Sequence, residues 1–402
     1  MTGRLVTDYT PEPGTALRVR MVTPGFPPDR GGVEEHCHQL TVRLAAAGDR
    51  VSVLTASRGE PVGRTWRTDG LDVRTFRAWR ATSMSLSPRL TLAGVAAPAG
   101  GADITHVHSY HASAGFAAIG GRHRPLVFTP HYHGTGHSPL ARGLHRGYRL
   151  IGRAMLTAAD AVICVSEAER AALVRDFPAV ADRVRVIPNG VDRATIRAAE
   201  PFPGQPPTVL VVGRLEPYKH VDTVLRAFAA VPATAQLVVI GTGSESDALR
   251  RMVDRLGLGA RVRLPGAVGT EELHRWLRTA RALVSLSEHE AFGMVPLGAA
   301  TAGARVVLSD IAAHREIADK FLGSAAEVVP APCVATVPAV TAALARALDR
   351  TDRVVVEVPD WSDVASATRA VYLDVLATRS DRGRSGHPFR QPVPSAHERS
   401  MQ

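Results

Sequence analysis

A chain of 402 residues exceeds what one hydrophobic core ordinarily organises, so two domains of common size are expected. With 45% hydrophobic and 21% charged residues the composition is globular; no apolar run approaches the ~18 residues that cross a bilayer, and the opening MTGRLVTDYTPEPG lacks the apolar centre of a secretory leader. The net charge of +10 raises nucleic acid, anionic membranes and acidic substrates as partners, but the basic residues look scattered through helical patterns and aromatics are only 5%, which argues against nucleic acid.

In chain order, LRVRMVTPG reads as a strand, FPPDRGGVEEH as a glycine loop, HQLTVRLAAAG as a helix and DRVSVLTAS as a second strand: one βαβ unit. ITHVHSY, PLVFTPH and DAVICVS follow as apolar runs short enough for buried parallel strands, and RVRVIPNGVD closes the first half. The proline-rich RATIRAAEPFPGQPPT lacks periodicity and is expected to be a linker. The pattern then restarts with strands PTVLVVGRL, QLVVIGTG, RVRLPGA and ALVSLS, interleaved with helices DTVLRAFAAV, SDALRRMVDRLGL and TEELHRWLRTA, and a last helix after Pro296. Two such series imply two doubly wound domains with a ligand cleft at the carboxyl ends of their strands. WSDVASATRAVYLDVLATR is an amphipathic helix starting near Ser362, and the remainder has no apolar period and is expected to be disordered.

Cys37, Cys164 and Cys333 have no metal or redox spacing, which points to a reduced, cytoplasmic setting. Of 48 basic residues only Lys219 and Lys320 are lysines. Lys219 follows a strand in GRLEPYKH, where it and Arg214 could hold a diphosphate and stabilise the charge that builds on it as it leaves; the alternative is a solvated basic turn. Gly31 and Gly32 lie between the first strand and helix, where a backbone can approach a phosphate, or where a tight turn simply needs glycine. HVHSYH (His106, His108, His111) and HYHGTGH (His131, His133, His137) could each hold a metal, yet neither brings a carboxylate or the fixed helical spacing of a zinc site. No metal is therefore expected, and His131 is favoured as a sugar-contacting residue. In EHEAFGMVPLG the N–H groups of Phe292, Gly293 and Met294 would be free near a helix start, with Glu290 on the approach.

Five motifs, GGVEEH, TPHYHGTGHS, VIPNGVD, GRLEPYKHVDTVLRAF and SEHEAFGMVPLGAATAG, stand in an order that resembles the large family-four (group 1) type of retaining, nucleotide-sugar-dependent glycosyltransferases of GT-B fold, over about residues 17 to 378. The resemblance implies an α/β chain with a flexible N-terminus (1–16) and an acceptor-side Rossmann-like domain (17–198). A nucleotide-sugar-binding domain (199–359), a helix crossing back (360–378) and a disordered tail (379–402) would follow. By position, His131 would contact the transferred sugar, Arg214 and Lys219 the diphosphate, and Glu290 the sugar hydroxyls. Gly31, Gly32, Gly213 and the backbone of Phe292, Gly293, Met294 and Val295 would line the donor site, and Val268 would touch the nucleobase. No cofactor beyond the nucleotide sugar is implied.

The chain departs from the family at Gly298, where the pattern has a second glutamate that pairs with the ribose hydroxyls. Losing that acceptor should cost about 1.5–3 kcal/mol. Glu288 or Thr301 could replace it, the nucleotide could be held differently, or transfer could be lost. An active enzyme is favoured; the alternatives are a non-catalytic binding or partner protein and a GT-B enzyme that forms a C–N bond. A small soluble acceptor, such as a sugar, cyclitol or secondary metabolite, is preferred. No basic amphipathic helix stands out near the N-terminus, so membrane association is left without support.

Overall fold

The computed structural model describes residues 16–57, 65–68, 70–81, 84–96, 101–132, 139–331 and 336–385. The first half runs β1 (Arg18–Thr23), α1 (Gly32–Ala46), β2 (Arg50–Ser57), β3 (Thr65–Thr68), β4 (Leu71–Arg77), β5 (Trp79–Ala81), β6 (Met84–Leu86) and α2 (Pro88–Ala96). It continues through β7 (Ile104–His108), a 3₁₀ segment (Ser113–His123), β8 (Leu126–Thr129), α3 (Pro139–Ala158), β9 (Ala161–Cys164), α4 (Glu167–Asp176), β10 (Val184–Val186) and α5 (Arg193–Ala198). Eight of these strands form one sheet in the order β10-β9-β8-β7-β1-β2-β4-β3, parallel except for β3 against β4, while β5 and β6 make a separate antiparallel hairpin.

The second half holds β11 (Thr208–Val212), α6 (Val221–Ala229), β12 (Gln236–Ile240), α7 (Ser246–Arg255), β13 (Val262–Gly266), α8 (Thr270–Thr279), β14 (Ala282–Ser285) and α9 (Met294–Thr301). β15 (Arg305–Ser309), α10 (Ala312–Ile317), β16 (Ala326–Val329), α11 (Val337–Asp349) and α12 (Trp361–Ser385) complete it. Its six strands are all parallel, in the order β13-β12-β11-β14-β15-β16.

Each sheet is buried on both faces, which explains why its strands read as unbroken apolar runs. Along β11, Val209 and Val211 pack into one core and Leu210 into the core on the opposite face. In the first domain, Val107 and Phe128 face a layer that includes Leu90, Ala117 and Met155 from α2, the 3₁₀ segment and α3. Met21 and Val53 face Leu40 of α1 and Tyr372 of α12. Strand order reverses between β7 and β1 in one sheet and between β14 and β11 in the other, so each domain opens a crevice at its carboxyl edge.

Three readings of the sequence change. The expected linker contains α5, whose N-cap Asp192 accepts a hydrogen bond from the Thr195 N–H (3.1 Å); the short helix was masked by the prolines that follow it. The last helix continues beyond residue 378 to Ser385, and Arg379 within the supposed tail pairs with Asp160 at 2.9 Å, so residues 379–385 are ordered as helix. The helix near Pro296 begins two residues earlier, at Met294, leaving Pro296 in its first turn where no intrahelical donor is lost. Cys37 and Cys164 are buried free thiols, and Cys333 lies outside the described residues. Among the described residues no helix is long and apolar enough to cross a membrane.

Candidate active site

The carboxyl ends of β11 and β14 carry the charged groups. After β11, Gly213 adopts φ 153°, and Gly241 after β12 comes so close that a side-chain carbon on it would strike the Gly213 carbonyl. The chain then turns through Arg214 into a 3₁₀ turn, Pro217–Lys219. Arg214 is exposed and donates Nη2–H to the Tyr218 hydroxyl at 2.9 Å. Lys219 reaches across to Glu290, forming a part-buried ion pair through Nζ and Oε1, and Ser287 Oγ donates to the same oxygen at 3.0 Å. Burial pushes the Glu290 carboxyl upward, but the Lys219 charge and hydrogen bond, His314 and Ser287 outweigh it and hold the pKa below the usual carboxylate range. A small concavity lined by Gly213, Arg214, Lys219 and Ser287 lies beside this pair.

Gly293 caps the start of α9 with φ 112°, a left-handed conformation, and a Cβ there would lie 2.9 Å from Ile317 Cδ1. Its first-turn N–H groups have no intrahelical acceptor and provide partial positive charge near the Lys219–Glu290 pair. From the other domain, α1 begins at Gly32, where an added Cβ would approach Met294 Cε to 3.4 Å. Two helix N-termini therefore face the same gap, with Gly31 as the N-cap of α1. Phe292 is buried in the core of the second domain, and Met294 and Val295 are half-buried against it. Val268 accepts a hydrogen bond through its carbonyl from Arg30 Nη1, an arginine of the loop before α1, so the two domains touch across the cleft at this point.

The wall opposite is histidine-rich. His131 follows β8 with φ 48°, and its Nε2 lies 3.4 Å from His108 Nδ1. His36 of α1 packs edge-on to His131 with ring centroids 5.0 Å apart, and donates Nδ1–H to Asn189 Oδ1 at 2.7 Å. The Nε2 atoms of His36 and His108 are buried with no hydrogen-bond partner. Burial drives His36 down to about 4 and holds His106 and His108 well below the usual imidazole range, so these rings are neutral at physiological pH. One ring nitrogen each from His36, His108 and His131 lies within 4.8 Å of the others, a donor set of three imidazoles without a carboxylate. This trio differs from the two suggested by spacing. His106 is occupied by Tyr372 and Thr129 (2.7 and 2.8 Å), and His133 and His137 lie outside the described residues. His36 was missed because it sits inside a helical pattern and meets the strand-end histidines only through the tertiary fold.

Gly298 is buried on α9, and a Cβ there would meet Leu277 Cδ1 at 3.6 Å and Ile196 Cδ1 at 3.7 Å, both apolar. Neither suggested substitute takes its place: Thr301 Oγ1 donates to Leu297 O (2.9 Å) within its own helix, and Glu288 pairs with His220 (2.7 Å).

Two Rossmann-like domains facing a cleft, with a lysine–carboxylate pair and a free helix start on one side and a glycine loop on the other, define a GT-B glycosyltransferase. The profile described as Glycosyltransferase Family 4 matches residues 30–195, and that described as Glycosyl transferases group 1 matches residues 192–366. The chain belongs to this family. It is 31% identical to D-inositol 3-phosphate glycosyltransferase of Nocardioides sp. over 70% of this chain and 71% of that one. It is 26% identical to the phosphatidylinositol N-acetylglucosaminyltransferase GPI3 subunit of Saccharomyces cerevisiae, over 90% of this chain and 84% of that one. Among solved structures, sucrose-phosphate synthase from Thermosynechococcus elongatus superposes with TM-score 0.64 at 21% identity, covering 92% of this chain and 99% of that one. Anabaena HepE with UDP and glucose gives 0.62 at 16%, covering 92% and 100%.

Proposed function

We propose that the protein transfers a sugar from a nucleotide diphosphate donor to a hydroxyl of a small polyol, with retention of anomeric configuration and without a metal ion. The observation that carries this reading is the grouping of Arg214, Lys219 and Glu290 beside the start of α9, at the carboxyl ends of β11 and β14. Lys219 gives one N–H to Glu290 and keeps the rest of its ammonium for a phosphate; Arg214, exposed above it, supplies the second cation. With the N–H groups of α9 they stabilise the diphosphate as the glycosidic bond breaks, the task a metal performs elsewhere. Glu290, kept ionised, accepts from sugar hydroxyls, and His131 lies across the gap, where it can contact the sugar near its anomeric carbon.

For a retaining transfer the nucleophile enters on the face the diphosphate leaves, and the protein contributes position and electrostatics rather than a covalent nucleophile. The names of the two relatives share inositol as the acceptor unit, which supports a cyclitol among the acceptors expected. The test starts with calorimetric titration of UDP, GDP, ADP and dTDP to find the nucleotide, then turnover of the matching sugar donor with inositol and inositol phosphate. Product configuration is read from the anomeric coupling constant. Lys219→Ala is expected to lower turnover by at least a hundredfold, about 2.7 kcal/mol of transition-state stabilisation, while EDTA leaves the wild type unchanged. Undiminished turnover in Lys219→Ala would remove the basis of this reading, and loss of activity in EDTA would return the histidine trio to consideration as a metal centre.

A further inference from the structure

The positive charge of this chain is concentrated. Residues 73–159 contain ten arginines and a single acid, Asp103, and so carry almost all of the net charge of +10. Asp103 is itself occupied by Arg18 at 2.6 Å. Within this stretch α2, the 3₁₀ segment Ser113–His123 and α3 pack side by side over one face of the first sheet, and none of the three contains an aspartate or glutamate. The reading of the basic residues as scattered is corrected here: the excess of positive charge gathers in this one stretch, where acids are all but missing.

The outer surface of this layer is also apolar. Of the eight large hydrophobic side chains exposed among the described residues, six lie here or on the adjoining hairpin: Trp79, Leu92, Val95, Ile119, Leu150 and Ile151. On α2 the outward positions Leu92 (66% exposed) and Val95 (38%) follow Arg89 at helical spacing, while Leu90 and Gly94 turn inward. On α3, Leu150 (74%) and Ile151 (39%) stand exposed between Arg149 and Arg153. Scattered single hydrophobics need no explanation, but an apolar row along adjacent helices, flanked by Arg89, Arg149 and Arg153 with only Arg149 in reach of an acid among the described residues (Asp176, 3.8 Å), does.

We propose that this face docks on an anionic lipid bilayer. Leucine, isoleucine, valine and tryptophan would enter the boundary between headgroups and acyl chains, and the arginines would meet lipid phosphates. Charge complementarity selects this occupant. A second copy of the chain would set Arg89 and Arg153 against themselves across a two-fold contact, which is repulsive. The helices stay folded through their inner contacts, as where Gly152 of α3 packs on the Tyr110 ring and Tyr148 donates to the Tyr110 carbonyl at 2.6 Å. Those contacts place the face next to the histidine wall, since Tyr110 follows β7 by two residues. An acceptor held in a membrane would then be presented on the acceptor side of the cleft, but the docking itself assumes nothing about the reaction.

The experiment is vesicle flotation of the full chain with phosphatidylcholine alone and with phosphatidylcholine containing about one third phosphatidylglycerol, with no donor or acceptor present. The wild type is expected to float with the anionic vesicles, to stay behind with neutral ones, and to be released by about 0.5 M salt. The exposed-site variant Leu92→Glu/Leu150→Glu, and separately Arg153→Glu, should weaken binding at least tenfold with unchanged thermal midpoints. Failure of the wild type to bind anionic vesicles, or undiminished binding by Leu92→Glu/Leu150→Glu, overturns the proposal. So does a wild type that is dimeric by light scattering and becomes monomeric in that variant, because the face would then be an interface between copies. Nucleotide titration in parallel keeps the two readings apart: a protein that binds nucleotide but ignores vesicles loses the docking face alone.

Discussion

A carbon added at Gly298 points between Leu277 of α8 and Ile196 of α5, not toward the Lys219–Glu290 pair. Replacing this glycine by glutamate would leave a carboxylate among apolar groups in a buried position. The expected result for Gly298→Glu is a loss of about 2 kcal/mol in stability with no gain in nucleotide affinity, read by denaturant titration and calorimetry. A tenfold tighter nucleotide would instead show that the side chain can swing into the cleft. What the sequence could reveal at this scale follows from geometry. Arg214, Lys219 and Glu290 were legible because each lies just beyond an apolar strand, and parallel strands deliver such residues to one edge. The surroundings of Gly298 were not, since they depend on Leu277 and Ile196, distant in sequence and brought together only by helix packing. His36 was hidden for the same reason.

At the scale of elements, α12 ties the end of the chain to the first domain. Arg369 pairs with Asp49 through Nε (3.0 Å), and the Asp49 carboxylate, fully buried, also accepts the Leu17 N–H at 3.0 Å. Tyr372 bonds His106 at 2.7 Å, and Trp361 packs edge-on to His36 of the histidine wall. Arg369→Ala leaves Asp49 buried without its counter-charge, so a loss of about 3 kcal/mol is expected in equilibrium denaturation. A change below about 0.5 kcal/mol would mean that the Leu17 N–H alone suffices. The helix itself could be read from its apolar spacing, but its end could not, because Arg379 and the residues after it follow no apolar period and are held by Asp160, far away in the sequence. The α5 helix was readable from Asp192 ahead of Thr195, a capping signal that the proline-rich sequence downstream obscured.

For the whole molecule, buried titratable groups set how stability depends on pH. His36 falls from an ordinary 6.5 to about 4 through burial, which outweighs its bond to Asn189, and burial likewise holds His106 and His108 well below the ordinary imidazole range. Each ring takes up its proton only when the chain unfolds, so the unfolded state binds more protons below about pH 6.5 and stability falls as pH drops through that window. Glu169 works in the opposite direction: burial raises it from 4.5 to about 8 against the Tyr132 and Val165 N–H groups that bond its two oxygens. The native chain then holds a proton that the unfolded chain has lost, and stability falls as pH rises toward 8. Burial lowers His274 and His314 in the same sense as the other histidines, so near pH ~5.5 at least three histidines oppose one glutamate, leaving two or more protons of net uptake on unfolding, at least ~2.7 kcal/mol per pH unit, whereas the alkaline side carries about one, ~1.4 kcal/mol per unit. Denaturation midpoints measured across this range should therefore peak near pH ~7 and fall at least twice as steeply toward acid as toward alkali. In Glu169→Gln the amide oxygen can still accept from one of the two N–H groups, and the alkaline limb should flatten while the acid limb steepens by about the one proton that Glu169 had offset. A wild type that continues to gain stability up to pH 8 would show that those N–H groups keep Glu169 ionised despite its burial, and the acid limb would then be steeper by the one proton that Glu169 no longer offsets.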